Sequence, residues 1–283
     1  AGLTLLPGLI DAHTHVQAAD DLRRALVFGV TTELDMFTTP GVVTGLRRIG
    51  KTKAGAALAD FRSAGILVTA PGGHGTEYGL EIPTIERPDQ AAAFVDARLA
   101  EGSDYVKIVF DDGSGFGATI PTLTADTLRA ALAAAHARQR LAVVHVSSQR
   151  EATAAIEAGA DGLAHVFFDA APTPEFVALA KRRGVFVIDT LPVIHALCGD
   201  RRGAALADAP ELSALLTPEA ARALKAAPGR PLADACTHAD AARPAYRLSM
   251  MLSGGVISAW DSPSAPEAPV AIRRLLDLGA RAV

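Results

Sequence analysis

Two alternating patterns of apolar residues run along this chain. Short runs rich in Val, Ile, Leu and Phe predict strands at 4–13, 29–37, 65–72, 104–110, 141–147, 161–167, 184–191 and 254–262. Between most of them lie Ala/Leu/Arg/Glu-rich segments whose apolar positions recur at helical spacing. In TADTLRAALAAAHARQR (124–140), Leu128, Ala131, Leu132 and Ala135 make one stripe, with Thr124 as the N-cap. QREATAAIEAGA (149–160) and TPEFVALAKRRG (173–184) repeat the pattern, each reaching a Gly just before the next strand. Such alternation predicts parallel strands joined by helical crossovers. Eight units close a (β/α)8 barrel, a fold of about 250 residues. The chain has 283 residues, and no repeat or low-complexity linker divides it. The reading is a single α/β barrel domain over 1–283, with an irregular insertion at about 193–240 between strands seven and eight that either covers the mouth or is a partly mobile segment.

At the end of the first run, PGLIDAHTH (7–15) sets His13 and His15 two positions apart. Alternate side chains of a strand project to one face, so the pair either shares a metal ion or is simply two polar residues at a strand end. In a barrel, the polar residues at the C-terminal strand ends share one mouth. His13, His15, Lys107, His145, His165 and Asp261 would then converge. Singly, His145 in VVHVSS and His165 in LAHVFF read as hydrogen-bonded core histidines. Lys107 in YVKIVF is odder, because an ammonium inside a strand buried on both faces is costly unless paired or deprotonated. Their recurrence at strand ends favours one shared site.

Other polar residues lie in the loops. PGGHGTEYG (71–79) follows the third apolar run, so His74 and Tyr78 face either substrate or solvent, with substrate contact the preferred reading. His195, after strand seven, contacts substrate or is structural. DDGSGFG (111–117) has neither the P-loop Lys nor a GxGxxG order and is expected to shape the pocket wall. His136 and His238 read as non-catalytic.

Charge and composition narrow the partners. A net charge of -4 without any Lys/Arg block excludes a general nucleic-acid or anionic-membrane surface. Cys198 and Cys236 form no CxxC pair, so neither a disulfide framework nor a thiolate zinc site is indicated. No apolar run approaches the roughly 18 residues of a membrane span. The opening AGLTLLPG lacks the pattern of a signal peptide. A cytoplasmic protein is expected, and a start without Met leaves secretion open.

LLPGLIDAHTH, DYVKIVFDDG and LAVVHVSSQREATAAIEAGADGLAHV resemble the amidohydrolase superfamily of metal-dependent hydrolases over nearly the whole chain. Within it, the sequence is most similar to the imidazolonepropionase-like enzymes and the Xaa-Pro dipeptidases. The resemblance implies a TIM-type barrel holding two divalent ions, with zinc the expected metal. His13, His15 and Asp261 would hold one ion and His145 and His165 the other, with Lys107 bridging them as an N6-carboxylated lysine. It further implies hydrolysis of an amide or peptide C–N bond in a dipeptide, N-acyl amino acid or cyclic amide. A hydroxide between the ions would attack, and Asp261 would pass its proton to the leaving amine. The expected partner is a small-molecule substrate.

Strand eight and the ends depart from the family. Strand eight reads SAWDSP, where the family has a small residue and Thr before its aspartate. The family's accessory β-sandwich is absent or not included, which would leave barrel surface exposed and predicts a homo-oligomer if these 283 residues are the whole protein. Two other functions stay open. A mononuclear heterocycle deaminase needs an acid soon after the strand-five histidine, where this chain has VSSQRE with Glu151 only at the sixth position. A barrel that has lost turnover would act as a binding protein.

Overall fold

The computed structural model describes residues 7–167, 169–190, 193, 202–226 and 257–258. Its parallel strands are β1 (Leu9–Thr14), β2 (Val30–Asp35), β3 (Asp60–Ser63), β4 (Val106–Val109), β5 (Ala142–His145), β6 (Gly162–Ala164), β7 (Phe186–Ile188) and β8 (Ile257–Ser258). Helices α1 (Ala19–Val27) and α2 (Pro40–Gly50) connect the first three strands, and α3 (Ala91–Ala100) leads into β4. Helices α4 (Ala125–Ala137), α5 (Gln149–Ala158) and α6 (Pro174–Arg183) join β4 to β7 in turn. Ladders run in chain order within β1–β3 and within β4–β8. A single parallel bridge between Val68 and Ile108 links the two groups.

The strands wrap around an interior rather than lying flat. Ala12 of β1, Leu34 of β2, Val143 of β5, Ala164 of β6 and Phe186 of β7 pack in one buried cluster with Tyr105. Strands so far apart in order can meet this way only in a curled sheet. Tyr105, just before β4, donates from Oη to the carbonyl of Asp35 at 2.7 Å, crossing the interior to β2. On the other face, Ile108, Val144, Leu163 and Val187 pack against Leu128, Ile156 and Phe176 of α4, α5 and α6. This is the (β/α)8 arrangement predicted from the pattern of the chain. Pairing of β8 with β1 is not among the ladders of the described residues.

Local chemistry explains the helices. The Thr124 hydroxyl accepts from the Thr127 amide at 3.1 Å, and the predicted stripe of Leu128, Ala131, Leu132 and Ala135 is buried. Each large apolar side chain so placed contributes about 1.5–3 kcal/mol. Ser148 and Glu151 form a reciprocal capping box at the start of α5, and Gly159 ends it in the left-handed conformation. Thr173 caps α6, with Pro174 in its first turn.

The third strand lies earlier than its apolar run predicts. β3 is DFRS, in which half-buried Asp60 and Arg62 alternate with buried Phe61 and Ser63. Its mixed polarity hides it, whereas Gly65, at φ +63°, turns the chain before the run at 65–72 can extend as a strand. In the region of the expected insertion, the described residues form three short helices, Arg202–Asp208, Pro210–Ser213 and Pro218–Lys225. The predicted site residues Asp261 and His195, and most of the expected eighth strand, lie outside the described residues.

Candidate active site

A cavity of about 400 Å³ opens at the C-terminal strand ends, lined on its polar side by His13, His15, Lys107, His145 and His165. Regular alternation brings in two of these. Tyr105 and Val143 face the interior, so Lys107 and His145, two positions on, face the same way. The other route breaks alternation. Ala12 and Ala164 already point inward, which should turn His13 and His165 outward. In β1, two residues, Ala12 and His13, lie between the paired Asp11 and Thr14 opposite the single Leu34 between Glu33 and Asp35 of β2, a bulge that re-aims His13. After β6, His165 takes φ +74°, a left-handed conformation rare for a non-glycine residue. Thr190 is also left-handed at φ +48°, and its hydroxyl lies 2.6 Å from His165 Nδ1. Strained backbone at paired cavity residues is a mark of a functional site.

The rings form a continuous chain across the barrel. Centroid separations are 5.4 Å for His15 and His13, 4.7 Å for His13 and His165, and 4.6 Å for His165 and His145. His74 extends the chain, 4.6 Å from His145, and its Nδ1 lies 2.6 Å from Glu77 Oε1. Tyr78 lies at the rim beside Phe37 and His74, with ring centroids 6.0 and 5.8 Å away. His74 and Tyr78 both line the cavity.

Burial, with the nearby Lys107 charge, moves His13, His145 and His165 well below the usual histidine range, and lowers His15 to a lesser degree. Neutral imidazoles keep a lone pair for a ligand. Burial also brings the Lys107 ammonium down to about 7, although the charge of Asp35 favours it. His13 Nδ1 is buried without a hydrogen-bond partner among the described residues. Neutral imidazoles and a readily deprotonated lysine fit a divalent ion of zinc's character.

Asp111 is the site residue that sequence reasoning did not single out. It lines the cavity and is 1% exposed, with Oδ2 3.0 Å from His145 Nε2. Its only signal in the chain is an acid at the end of the apolar run that carries Lys107. Ligand atoms of Asp111, Asp112 and Glu151 lie within 4.8 Å of one another. Glu151, however, is committed to structure: it accepts from the amides of Asp112, Ser147 and Ser148 at 2.7, 3.2 and 3.0 Å. His136 sits outside the cavity, with Nε2 2.9 Å from Asp161. Thr190, Phe37 and Phe116 complete the wall, the last from the glycine-rich loop expected to shape it.

Among the described residues, no helix is long and apolar enough to cross a membrane. In the solved structures, a Xaa-Pro dipeptidase with bound methionine shares 20% identity over 96% of this chain and 70% of that one, at a TM-score of 0.61. Ochratoxinase of A. niger shares 18% over 97% and 67% of the two chains, at 0.63. A prolidase complexed with N-methylphosphonate-L-proline shares 17% over 98% and 76%, at 0.64. At such identities the likeness establishes the barrel fold and nothing finer. None of the curated proteins compared matches the chain. The model of the amidohydrolase family matches residues 4–228, which takes in the histidines of β1, β5 and β6 and the lysine of β4, so the chain belongs to the amidohydrolase family and is a hydrolase.

Proposed function

We propose that the protein is a binuclear metal-dependent hydrolase that cleaves an amide-type C–N bond in a dipeptide-like or N-acyl amino acid substrate. The observation that carries this is the meeting of four neutral imidazoles and one buried, readily deprotonated lysine at one cavity. His13 and His15, with Asp261, would hold one ion, and His145 and His165 the other. The Lys107 charge lowers all four histidines, which supports a role for it in the same centre. A neutral amine adds carbon dioxide with loss of a proton, converting Lys107 to an anionic carbamate with two oxygens to share. When bound, the ions supply Lewis acidity that acidifies water and polarises a scissile carbonyl. Asp261 would take the proton from the attacking water and deliver it to the departing nitrogen.

The substrate class follows from the relatives and the cavity together. Two of the structural neighbours are named for dipeptide cleavage. The cavity lies within the roughly 300–1,000 Å³ range of small-molecule sites. Its rim of Phe37 and Tyr78 suits an apolar side chain. The deaminase reading loses its acid, because Glu151 is spent on backbone amides.

The test is metal content per chain after incubation with zinc and bicarbonate, followed by hydrolysis of a dipeptide and N-acyl amino acid panel with and without chelator. About two ions per chain and chelator-sensitive cleavage are expected. One ion would favour the deaminase. No ion, or no chelator-sensitive activity, would overturn the reading in favour of a binding protein. A single species of monomer mass in solution scattering would rule out the homo-oligomer that we also propose.

A further inference from the structure

We propose that Asp111 is a positioning residue that locks His145 with its proton on Nε2, so that Nδ1 is the nitrogen His145 offers to a metal ion. This rests on the metal-centre reading above, and it assigns a task to a carboxylate that the predicted ligand set leaves unused.

The carboxylate is itself held from several sides. Oδ1 accepts from the Gly113 amide at 2.8 Å and from the Ser147 hydroxyl at 2.6 Å. The Asp111 amide donates to Thr122 Oγ1 at 3.0 Å. That leaves Oδ2 facing His145 Nε2 at 3.0 Å. The following loop approaches Ser147 closely, since a Cβ on Gly115 would lie 2.3 Å from the carbonyl oxygen of Ser147. Ser147 is fixed in turn by Glu151, which accepts from its amide at 3.2 Å.

The tautomer follows from which atoms can donate. Oδ1 is already an acceptor from the Gly113 amide and the Ser147 hydroxyl, and Oδ2 in the same accepting role toward the ring requires Nε2 to carry the hydrogen. A neutral imidazole has one N–H, so the lone pair resides on Nδ1. His15 is fixed the opposite way: its Nδ1 lies 3.2 Å from the carbonyl oxygen of Phe37, which also only accepts. Its lone pair is therefore on Nε2. Two rings of one cluster are set in opposite tautomers by different acceptors, an outer-shell arrangement that orients ligands and strengthens their basicity.

The same contacts argue against Asp111 as a ligand in its own right. Both of its oxygens are engaged. In the neighbouring carboxylates, Asp112 accepts from the Ser114 amide at 3.0 Å and from Arg150, and Glu151 accepts from backbone amides. The acidic trio is a hydrogen-bonded brace behind His145.

The experiment uses the full chain labelled with 15N-histidine, with long-range 1H–15N spectra recorded before and after zinc addition, and with zinc affinity measured separately by competition with a chromophoric chelator. In the metal-free wild type, His145 should be the Nε2–H tautomer and His15 the Nδ1–H tautomer, and zinc should perturb Nδ1 of His145. Asp111→Asn keeps an acceptor oxygen and should keep the tautomer. Asp111→Ala should release His145 into a mixture, leave His15 unchanged, and weaken zinc binding by about 10- to 100-fold. An Nδ1–H His145 in the wild type overturns the proposal whether or not the Ala variant folds well. Loss of zinc affinity in Asp111→Asn equal to that in Asp111→Ala also overturns it, because the charge would then be acting as a ligand. Failure of the wild type to bind zinc sinks the metal centre instead, while the metal-free spectrum still decides whether Asp111 sets the ring.

Discussion

Gly162 of β6 and Phe186 of β7 are register partners, and the Phe186 ring fills the space that a side chain at 162 would need. A Cβ there would lie 2.2 Å from Phe186 Cε2. The ring is 1% exposed and belongs to the interior cluster of the barrel, so a shift of the ring must press on buried neighbours. Gly162→Ala is expected to cost about 1–3 kcal/mol. Phe186→Leu in the same chain should recover part of that loss. Urea unfolding of both single variants and the double variant measures the coupling, and equal losses at 162 in the two backgrounds would remove the steric explanation.

Lys107 opposes the fold's stability. Its pKa falls from 10.5 to about 7, so between those values the folded chain binds fewer protons than the unfolded one. Stability therefore rises with pH across that window, and the penalty is fully present below about 7. Lys107→Met, of similar length and without charge, is expected to raise the melting temperature of the chelator-treated protein at pH 6. The gain should fade as pH rises toward 10. The same variant should lose bicarbonate-dependent zinc uptake. Undiminished uptake would exclude Lys107 as a carbamate ligand.

How far the site is legible in the sequence depends on whether its backbone is regular. Lys107 and His145 follow strand alternation behind Tyr105 and Val143, so pattern alone aims them at the interior. His13 and His165 come directly after the inward-facing Ala12 and Ala164, and only a bulge and a left-handed residue turn them in. Residue types at strand ends betray these histidines, but alternation does not. Asp111 was hidden for a related reason: Gly113, at φ +81°, folds the following loop back so that its amide reaches the carboxylate. The third strand escaped notice because DFRS is half polar, whereas the apolar run that follows it is only bridged at Val68. Helix α4 is legible from the sequence, because its Thr124 cap and its stripe of Leu128, Ala131, Leu132 and Ala135 are encoded within a dozen neighbouring residues.

Tyr78 stands at the cavity rim, more than half exposed, in ring contact with Phe37 and His74. If Tyr78 contacts substrate as proposed, a ring so placed would hold an apolar group similarly before and during reaction, so its loss should act on KM. Tyr78→Ala is expected to raise KM about 2- to 10-fold for substrates with aromatic side chains, with kcat little changed. Tyr78→Phe should behave as wild type. Steady-state kinetics on the best substrate of the amide panel decides this, and a drop in kcat with Tyr78→Phe would instead assign a role to the hydroxyl.

Glu33 faces Asp11 across the β1–β2 ladder, and its Oε2 has no hydrogen-bond partner among the described residues. Burial first, and the neighbouring Asp11 charge second, lift its carboxyl from 4.5 to about 7. Between those values the folded chain holds a proton that the unfolded chain has lost. Stability should therefore fall as pH rises through the window and stay lower above it. Glu33→Gln keeps the shape and removes the charge, so it is expected to stabilise the protein by on the order of 1 kcal/mol at pH 8, with the difference vanishing near pH 4. Asp35, also lifted to about 7 by burial, should leave part of the slope in the variant. Melting temperatures from about pH 4 to 8 measure both effects. A Gln variant less stable than wild type at pH 8 would mean that the ionised Glu33 is compensated in the fold by a positive partner.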